Sequence, residues 1–400
     1  MARFGWMGAL LVCFALVLAA QDTSPPPAPS PQSTSFAGTP PVTLVPRTHA
    51  EREDRYRAQH RILLNVLVTD ASGKPVTGLN QEDFTLIDNG QPQKAATFRA
   101  VNGSVGFAPV RIVLMLDAVN NSSTDINRDS RSIEHFLKQG QGPLMYPTSI
   151  AMLASAGTRI GQPFRDRDAV TGELRMLSKG VRELDCADEE QVQHVVSLGG
   201  ISGTGLDGIH PDPKGDCPNQ RFRLSVSALK SYATHQTSVP GRVILIWIGP
   251  GWPLLLSRGF RPDTEAVKRN FFDNVVELST TLREAQITLD AVFSPDLFRT
   301  VEARSDHDDA LFNGVSSKEQ VTASSMGLQV LAHQSGGQVL VVGKNLEGEI
   351  AQCIADADSY YVLSFDSPAA TVPGEFHSLQ VKVNKPGMRV RTNTAYYAQP

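Results

Sequence analysis

The chain reads as an α/β protein: a mostly parallel sheet with helices on both faces, joined to β-structure from both chain ends. Three observations predict this. RIVLMLDA, TSIAMLASA, RVILIWIG, ITLDAVFS and QVLVV are short, nearly continuous apolar runs, as strands buried on both faces require. Segments of helical spacing lie between them, and such alternation favours a parallel sheet wrapped on both sides. Outside this core, at both chain ends, the pattern changes to β-rich strands separated by turn residues, which predicts further β-structure.

Taken in order, the N-terminus comes first. Arg3 precedes GALLVCFALVLAA, an apolar run ending in small residues. This is the pattern of a secretory signal peptide over residues 1–20, cleaved near Ala19 or Ala20. An uncleaved anchor is the other reading, although the run is shorter than the roughly 20 residues that a span needs. Residues 21–61 begin with a segment that carries eight of the 26 prolines and few bulky apolar side chains. It cannot bury enough surface to offset its ordering entropy, so it predicts a spacer. THAEREDRYRAQHR follows as a charged lead-in.

Residues 62–104 predict β-structure: ILLNVLVTD, FTLID and QKAATFRAV as strands, with Asn89-Gly90 as a tight hairpin turn. Glu82 and Asp83 before Phe84 read as solvated turn residues rather than as a catalytic pair. Residues 105–356 hold the buried runs. The helical segments among them are DSRSIEHFLKQ, AVTGELRMLSK, EEQVQHVVSL, RLSVSALKSYATH, TEAVKRNFFDNVVELSTTLREA and SMGLQVLAHQSGG. Gly336-Gly337 closes the last of these. LEGEIAQCIADADS predicts a further helix. Residues 357–400 return to strands in YYVLSFDS, FHSLQVKVNKP and MRVRTNTAYYA, so the two chain ends predict one β-rich accessory domain.

Several segments carry a family resemblance. VTDASGKPVTGLNQEDFTLIDNGQPQKAATF, RIVLMLDAVN, PGRVILIWIGPGWPLL, LAHQSGGQVL with YYVLSF, and FHSLQVKVNKPGMRVRTNTAYYA together resemble the VWFA-related domain family of exported acidobacterial proteins. The resemblance covers most of Ile62 to Ala398. It implies a von Willebrand factor A-like (Rossmann-like) fold and no defined activity.

It also implies a place to look for a cation. In such domains a D-x-S-x-S run after the first strand, a Thr from a second loop and an Asp after a later strand hold a divalent ion through hard oxygen ligands. Asp117 matches the first position. Val119 stands at the first Ser and has no side-chain oxygen, and Asn121 stands at the second, with Ser122 and Ser123 displaced. Thr204 in SGTGLDG resembles the second-loop Thr. The later Asp is replaced by Pro250 in Gly249-Pro250-Gly251. The expectation is therefore a degenerate site and no cofactor; if an ion binds, Asp117, Asn121 and Thr204 would hold it. The alternative role for Asp117 is to accept hydrogen bonds from the backbone that follows it, with Asn120 and Asn121 in the same turn.

Other chemistry is sparse. GTGLDG satisfies G-x-G-x-x-G, but a predicted helix precedes it and a loop follows, the reverse of the dinucleotide context. No G-x-S-x-G elbow, H-x-x-x-H pair or CxxC occurs. Cys186 and Cys217 could pair across the loop between them, which would leave Cys353 over. A formal net charge of -4 speaks against a nucleic-acid partner, which needs clustered basic residues. In GPGWPLL, Trp252 either projects from a rigid turn as an interface anchor or packs down over the sheet end.

The functional expectation is an exported, secreted or periplasmic, non-catalytic interaction module. Its partner would be a protein or the cell envelope, with no membrane span after signal cleavage. Recognition would fall on Asp117, Asn120, Asn121, Ser122, Thr204 and Trp252. A metal-dependent adhesion domain with rearranged ligands, or an envelope hydrolase whose site comes from distant residues, are the alternatives.

Overall fold

The computed structural model describes residues 60–102, 110–181, 184, 217–252, 265–293, 314–321, 323–342 and 345–400. The expected signal peptide, the Pro-rich spacer, the helix expected over EEQVQHVVSL, Cys186 and Thr204 lie outside the described residues. Arg52–Pro400 forms one compact unit.

Its centre is a six-stranded sheet. The strands are β5 (Arg111–Asp117), β6 (Thr148–Ala154), β7 (Gly157–Ile160), β8 (Val243–Ile248), β9 (Ile287–Phe293) and β10 (Val339–Val341). Their spatial order is β10-β9-β8-β5-β6-β7, and every pairing is parallel except that of edge strand β7 with β6. The chain moves outward from β5 in one direction, then returns and builds β8, β9 and β10 on the other side. This is the doubly wound, Rossmann-like arrangement, with its switch point between β5 and β8.

The helices are α1 (Ser123–Lys138), α2 (Arg167–Ser178), α3 (Cys217–Gln236), α4 (Glu265–Glu284), α5 (Leu328–Gln334) and α6 (Leu346–Ala355). Strand side chains alternate between faces, and the packing follows that parity. Val113, Met115, Leu245, Trp247, Leu289 and Ala291 pack with α3, α4 and α5. Ile112, Leu114, Leu116, Ile244, Ile246 and Val292 pack with α1, α2 and α6. Both faces are covered, which is why apolar residues fill most positions of both parities; Thr288 and Asp290 of β9 are buried exceptions.

Two four-stranded sheets complete the unit. The first has the order β13-β1-β11-β4, from β1 (Arg61–Thr69), β4 (Thr97–Asn102), β11 (Ser359–Asp366) and β13 (Arg389–Arg391); the second has β14-β12-β2-β3, from β2 (Phe84–Asp88), β3 (Gln91–Gln93), β12 (Glu375–Val383) and β14 (Ala395–Ala398). Each therefore pairs strands from both chain ends. Leu64, Val66, Leu363 and Phe365 of the first meet Leu86, Leu379, Val381 and Tyr396 of the second in one core. On its other face the first sheet contributes Leu67, Val101, Tyr360 and Val362 to the cluster beneath α1, α2 and α6. The chain ends are thus built into the core of the α/β unit as well as into their own.

Local details depart from expectation. QKAATFRAV, read as one strand, is divided between β3 and β4. MRVRTNTAYYA divides between β13, paired with β1, and β14, paired with β12. Arg389–Arg391 and Ala395–Ala398 belong to different sheets, and Asn393-Thr394 makes the step between them. Helix α1 begins at Ser123, well before the predicted Asp129, because Ser122 caps it: its hydroxyl accepts the Asp125 N–H at 3.1 Å.

Candidate functional site

The switch point brings the end of β5 beside the turn that follows β8. Asp117 is the last residue of β5 and is 1% exposed. Its Oδ1 accepts the backbone N–H of Val119 at 3.1 Å and of Asn120 at 2.9 Å. The Asn120 amide donates to both oxygens, at 3.0 Å and 2.8 Å. Trp247, on β8, donates its indole Nε1–H to Oδ2 at 3.0 Å. Four donor groups from the chain itself therefore enclose this carboxylate.

The sequence builds this locally. An aspartate at the end of a strand reaches the N–H groups of the residues after it and stabilises the turn. Trp247 follows from parity: Met115 lies opposite Trp247 in the β5–β8 register, so Asp117 and Trp247 share one face of neighbouring strands. Asn120 then continues outward, donating to Ser225 Oγ on α3 at 2.9 Å, while Ser225 donates to the Arg221 carbonyl at 2.8 Å. Burial pushes the Asp117 carboxyl above the ordinary range; the donors from Asn120, Trp247 and Val119 pull against it.

A divalent cation of the kind the resemblance implies does not fit these residues. Asp117 commits both oxygens to internal donors, and the Trp247 indole occupies the flank of Oδ2. Val119 is a fully buried apolar residue in the core cluster. The position after β8 offers Gly249 and Pro250 in place of an acid. Thr204 lies outside the described residues. Among the described residues, no three His, Cys, Asp or Glu side chains form a group that could hold an ion.

Asn121 and Ser122 lie farther out, each partly exposed. The Asn121 amide donates to Asp129 Oδ2 at 3.3 Å. Ser122 Oγ donates to Asp125 Oδ2 at 2.6 Å besides capping α1. Arg128 pairs with Asp125 at 2.5 Å and with Asp129 at 3.2 Å. Burial raises the Asp129 carboxyl, chiefly opposed by Arg128. The rim is thus a set of small polar and charged groups tied to one another around the start of α1.

Trp252 corrects one expectation. Its side chain is fully buried and does not project as an interface anchor. The indole Nε1–H donates to the Met326 carbonyl, and the ring meets Trp247 edge-on, with centroids 5.1 Å apart at 84°. Trp252 is a lid over the sheet end, the other reading of GPGWPLL. The turn carrying it needs its glycines. Gly249 has φ +131°, and a Cβ there would stand 2.9 Å from Asp117 Cβ.

Of the predicted residues, the structure gathers Asp117, Asn120, Asn121, Ser122 and Trp252 at one end of the sheet. The backbone of Cys217 opens α3, and Cys353 is a buried free thiol; the pairing of Cys186 with Cys217 falls outside the described residues. Sequence reasoning missed Trp247 and Ser225. Strand parity across β5 and β8 was the signal for the first, and no local signal marks the second.

No protein-family model and no curated protein matches the sequence. Among solved structures, the human COPII-coat protein Sec24c is similar at 11% identity over 76% of this chain and 46% of that one, with a TM-score of 0.29. The manganese-loaded Plasmodium vivax TRAP protein is similar at 7% identity over 74% of this chain and 96% of that one, TM-score 0.30. The pilus adhesin SpaC from Lactobacillus rhamnosus GG is similar at 9% identity over 79% of this chain and 41% of that one, TM-score 0.34. The chain thus spans less than half the length of the Sec24c and SpaC chains. Likenesses this low leave the functional reading to the geometry of the site.

Proposed function

We propose that this protein is an exported interaction module whose α/β unit is von Willebrand A-like, and whose recognition surface is the rim at the carboxyl end of the sheet. The observation that carries this reading is the closure of Asp117. The residue best placed to hold an ion at the switch point instead fastens the β5 turn to β8 and, through Asn120, to α3. A partner would meet the groups outside that seal: Asn121, Ser122, Thr124, Asp125 and Arg128, partly or fully exposed at the start of α1. Open α/β sheets bind their ligands at such a crest, and a rim of interlocked small polar groups suits a protein or envelope surface better than a small apolar molecule. The signal-peptide pattern of the first 20 residues and the Pro-rich stretch after it are the sequence features that support the exported part of this reading. Among the described residues, no helix is long and apolar enough to cross a membrane.

The test is capture from the organism's own envelope extract by crosslinking, with the mature wild-type chain and a Thr124→Arg variant, each with and without EDTA. The reading expects partners retained by the wild type in EDTA and lost by the variant, whose melting temperature stays within about 1 °C of wild type, as for an exposed surface change. Partners retained equally by both chains would remove the rim from recognition. Partners lost in EDTA would return the metal-dependent alternative.

A further inference from the structure

A second polar cluster lies deep in the molecule, where the central sheet meets β13. Asp290 stands in the middle of β9 and is fully enclosed. Its Oδ1 accepts the Gln338 backbone N–H at 2.7 Å, whereas Oδ2 has no hydrogen-bond partner. Asp356, just past the end of α6 and 6% exposed, is the second acid. Its Oδ2 accepts the Gln338 side-chain amide at 3.0 Å and its Oδ1 accepts Arg391 Nη2 at 2.6 Å. One glutamine therefore ties two buried carboxyls together, and Arg391 fastens the pair to β13.

The charged and titratable neighbours of Asp290 are Asp356 and Cys353 from α6 and its end, Arg242 from the head of β8, and Arg391 from β13. Both arginines have other commitments. Arg391 holds Asp356, and Arg242 donates to the Asp356 carbonyl at 2.8 Å and to Thr288 Oγ1 at 3.2 Å, under the Tyr360 ring. An enclosed carboxylate with one backbone donor, the Cys353 thiol beside it and a second carboxylate nearby is costly to ionise. Burial first, and then Asp356, push the Asp290 carboxyl up to about 7.

We propose that Asp290 and Asp356 form a proton-sensitive joint between the central sheet and β13, closed while Asp290 keeps its proton and loosened when both acids are charged. Ionised Asp290 repels Asp356 and competes with it for Arg391, the side chain that holds β13 to this cluster. β13 is the element that would give way. It is an edge strand of three residues whose ladder partner among the described residues is β1. Besides the packing of Val390, it is held to this side of the molecule by Arg391, so weakening that hold favours local opening.

Amide hydrogen exchange tests this on the full mature chain between pH 5 and 8.5, after correction for intrinsic exchange. In the wild type the opening constant of β13 and Gln338–Val341 should rise with pH by up to about tenfold per unit until near 7 and then level, the slope of a single linked proton. In Asp290→Asn the same amides should show no such rise. A wild-type profile flat in pH, or equal slopes in both proteins, would overturn the joint. If the variant does not fold, the wild-type Asp290 carboxyl carbon, assigned through its β protons, decides by NMR. A midpoint near neutrality supports the proposal, and one near 4 overturns it.

Discussion

Replacing Trp247 by Phe keeps an aromatic ring at the sheet end and removes the indole N–H that reaches Asp117 Oδ2 at 3.0 Å. The oxygen is not orphaned, because the Asn120 amide still reaches it at 2.8 Å. The loss is therefore one hydrogen bond to an acidic group, about 1.5–2 kcal/mol. The smaller ring in a fully buried site adds roughly 1 kcal/mol of lost packing. Together they give about 3 kcal/mol, which in a protein of this size lowers the melting temperature by about 5 °C. Trp252→Phe is the internal control. It loses the same ring area and a bond to a neutral carbonyl, that of Met326, so it should cost about 1 kcal/mol less. Both variants would be measured by urea unfolding and by calorimetry. If Trp247→Phe costs no more than Trp252→Phe, Trp247 is ordinary core and the closure of Asp117 by β8 is wrong.

Three further outcomes follow from the same geometry. Ser122→Ala removes the cap of α1 and should cost about 1 kcal/mol in urea unfolding, with no change in fold by circular dichroism. Gly249→Ala forces a side chain into a backbone at φ +131° and against Asp117 Cβ, and should destabilise by at least about 2 kcal/mol, or more than any substitution at Thr124. Cys353 is fully enclosed and burial pushes its thiol well up. Mass mapping should therefore find it unlabelled by a thiol reagent in the native protein and labelled in urea; rapid native labelling would contradict its burial.

Much of this architecture could be read from residue patterns because both faces of the central sheet are buried. That constraint makes apolar residues dominate β5, β6, β8 and β9 and makes the strands visible as runs, even though β9 keeps Thr288 and Asp290 inside it. Edge strand β7 was invisible for the converse reason. Gly157–Ile160 is four residues long and half exposed, so neither length nor patterning marks it. The division of MRVRTNTAYYA between two sheets depends on which strands lie alongside, and that is settled by tertiary pairing rather than by propensity. At the site, Asp117, Asn120 and Ser122 were legible because each makes its hydrogen bonds within a few residues: Asp117 and Ser122 accept from the backbone that follows them, and Asn120 donates to Asp117. Trp252 could be placed on a rigid turn but not turned inward or outward, since glycine φ values fix the turn and the facing surface of Met326 and Trp247 fixes the ring. Ser225 approaches from α3, far along the chain, and only the folded structure brings it to Asn120.

The pH profile carries a second signature of the buried acids. Asp290 is raised from the ordinary carboxylate value of 3.8 to about 7, so the folded state holds a proton that the unfolded chain has released. Its contribution is fully present below about pH 4 and declines as the pH rises to 7, by up to about 4 kcal/mol. Asp117, raised by burial, acts in the same direction. Both oppose the usual gain in stability that paired surface carboxylates give over this range. Asp290→Asn should therefore gain on the wild type as the pH rises from 5 to 7, when unfolding free energies are compared at each pH.

The central claim is that the crest of the sheet is closed by its own side chains around Asp117. Calorimetry of the mature protein in EDTA and then in millimolar Mn²⁺ or Mg²⁺, beside Asp117→Ala, tests it most directly. The account predicts that neither ion shifts the melting temperature of either protein, and that Asp117→Ala is destabilised equally in all conditions. A saturable rise in the wild type that vanishes in Asp117→Ala would contradict it.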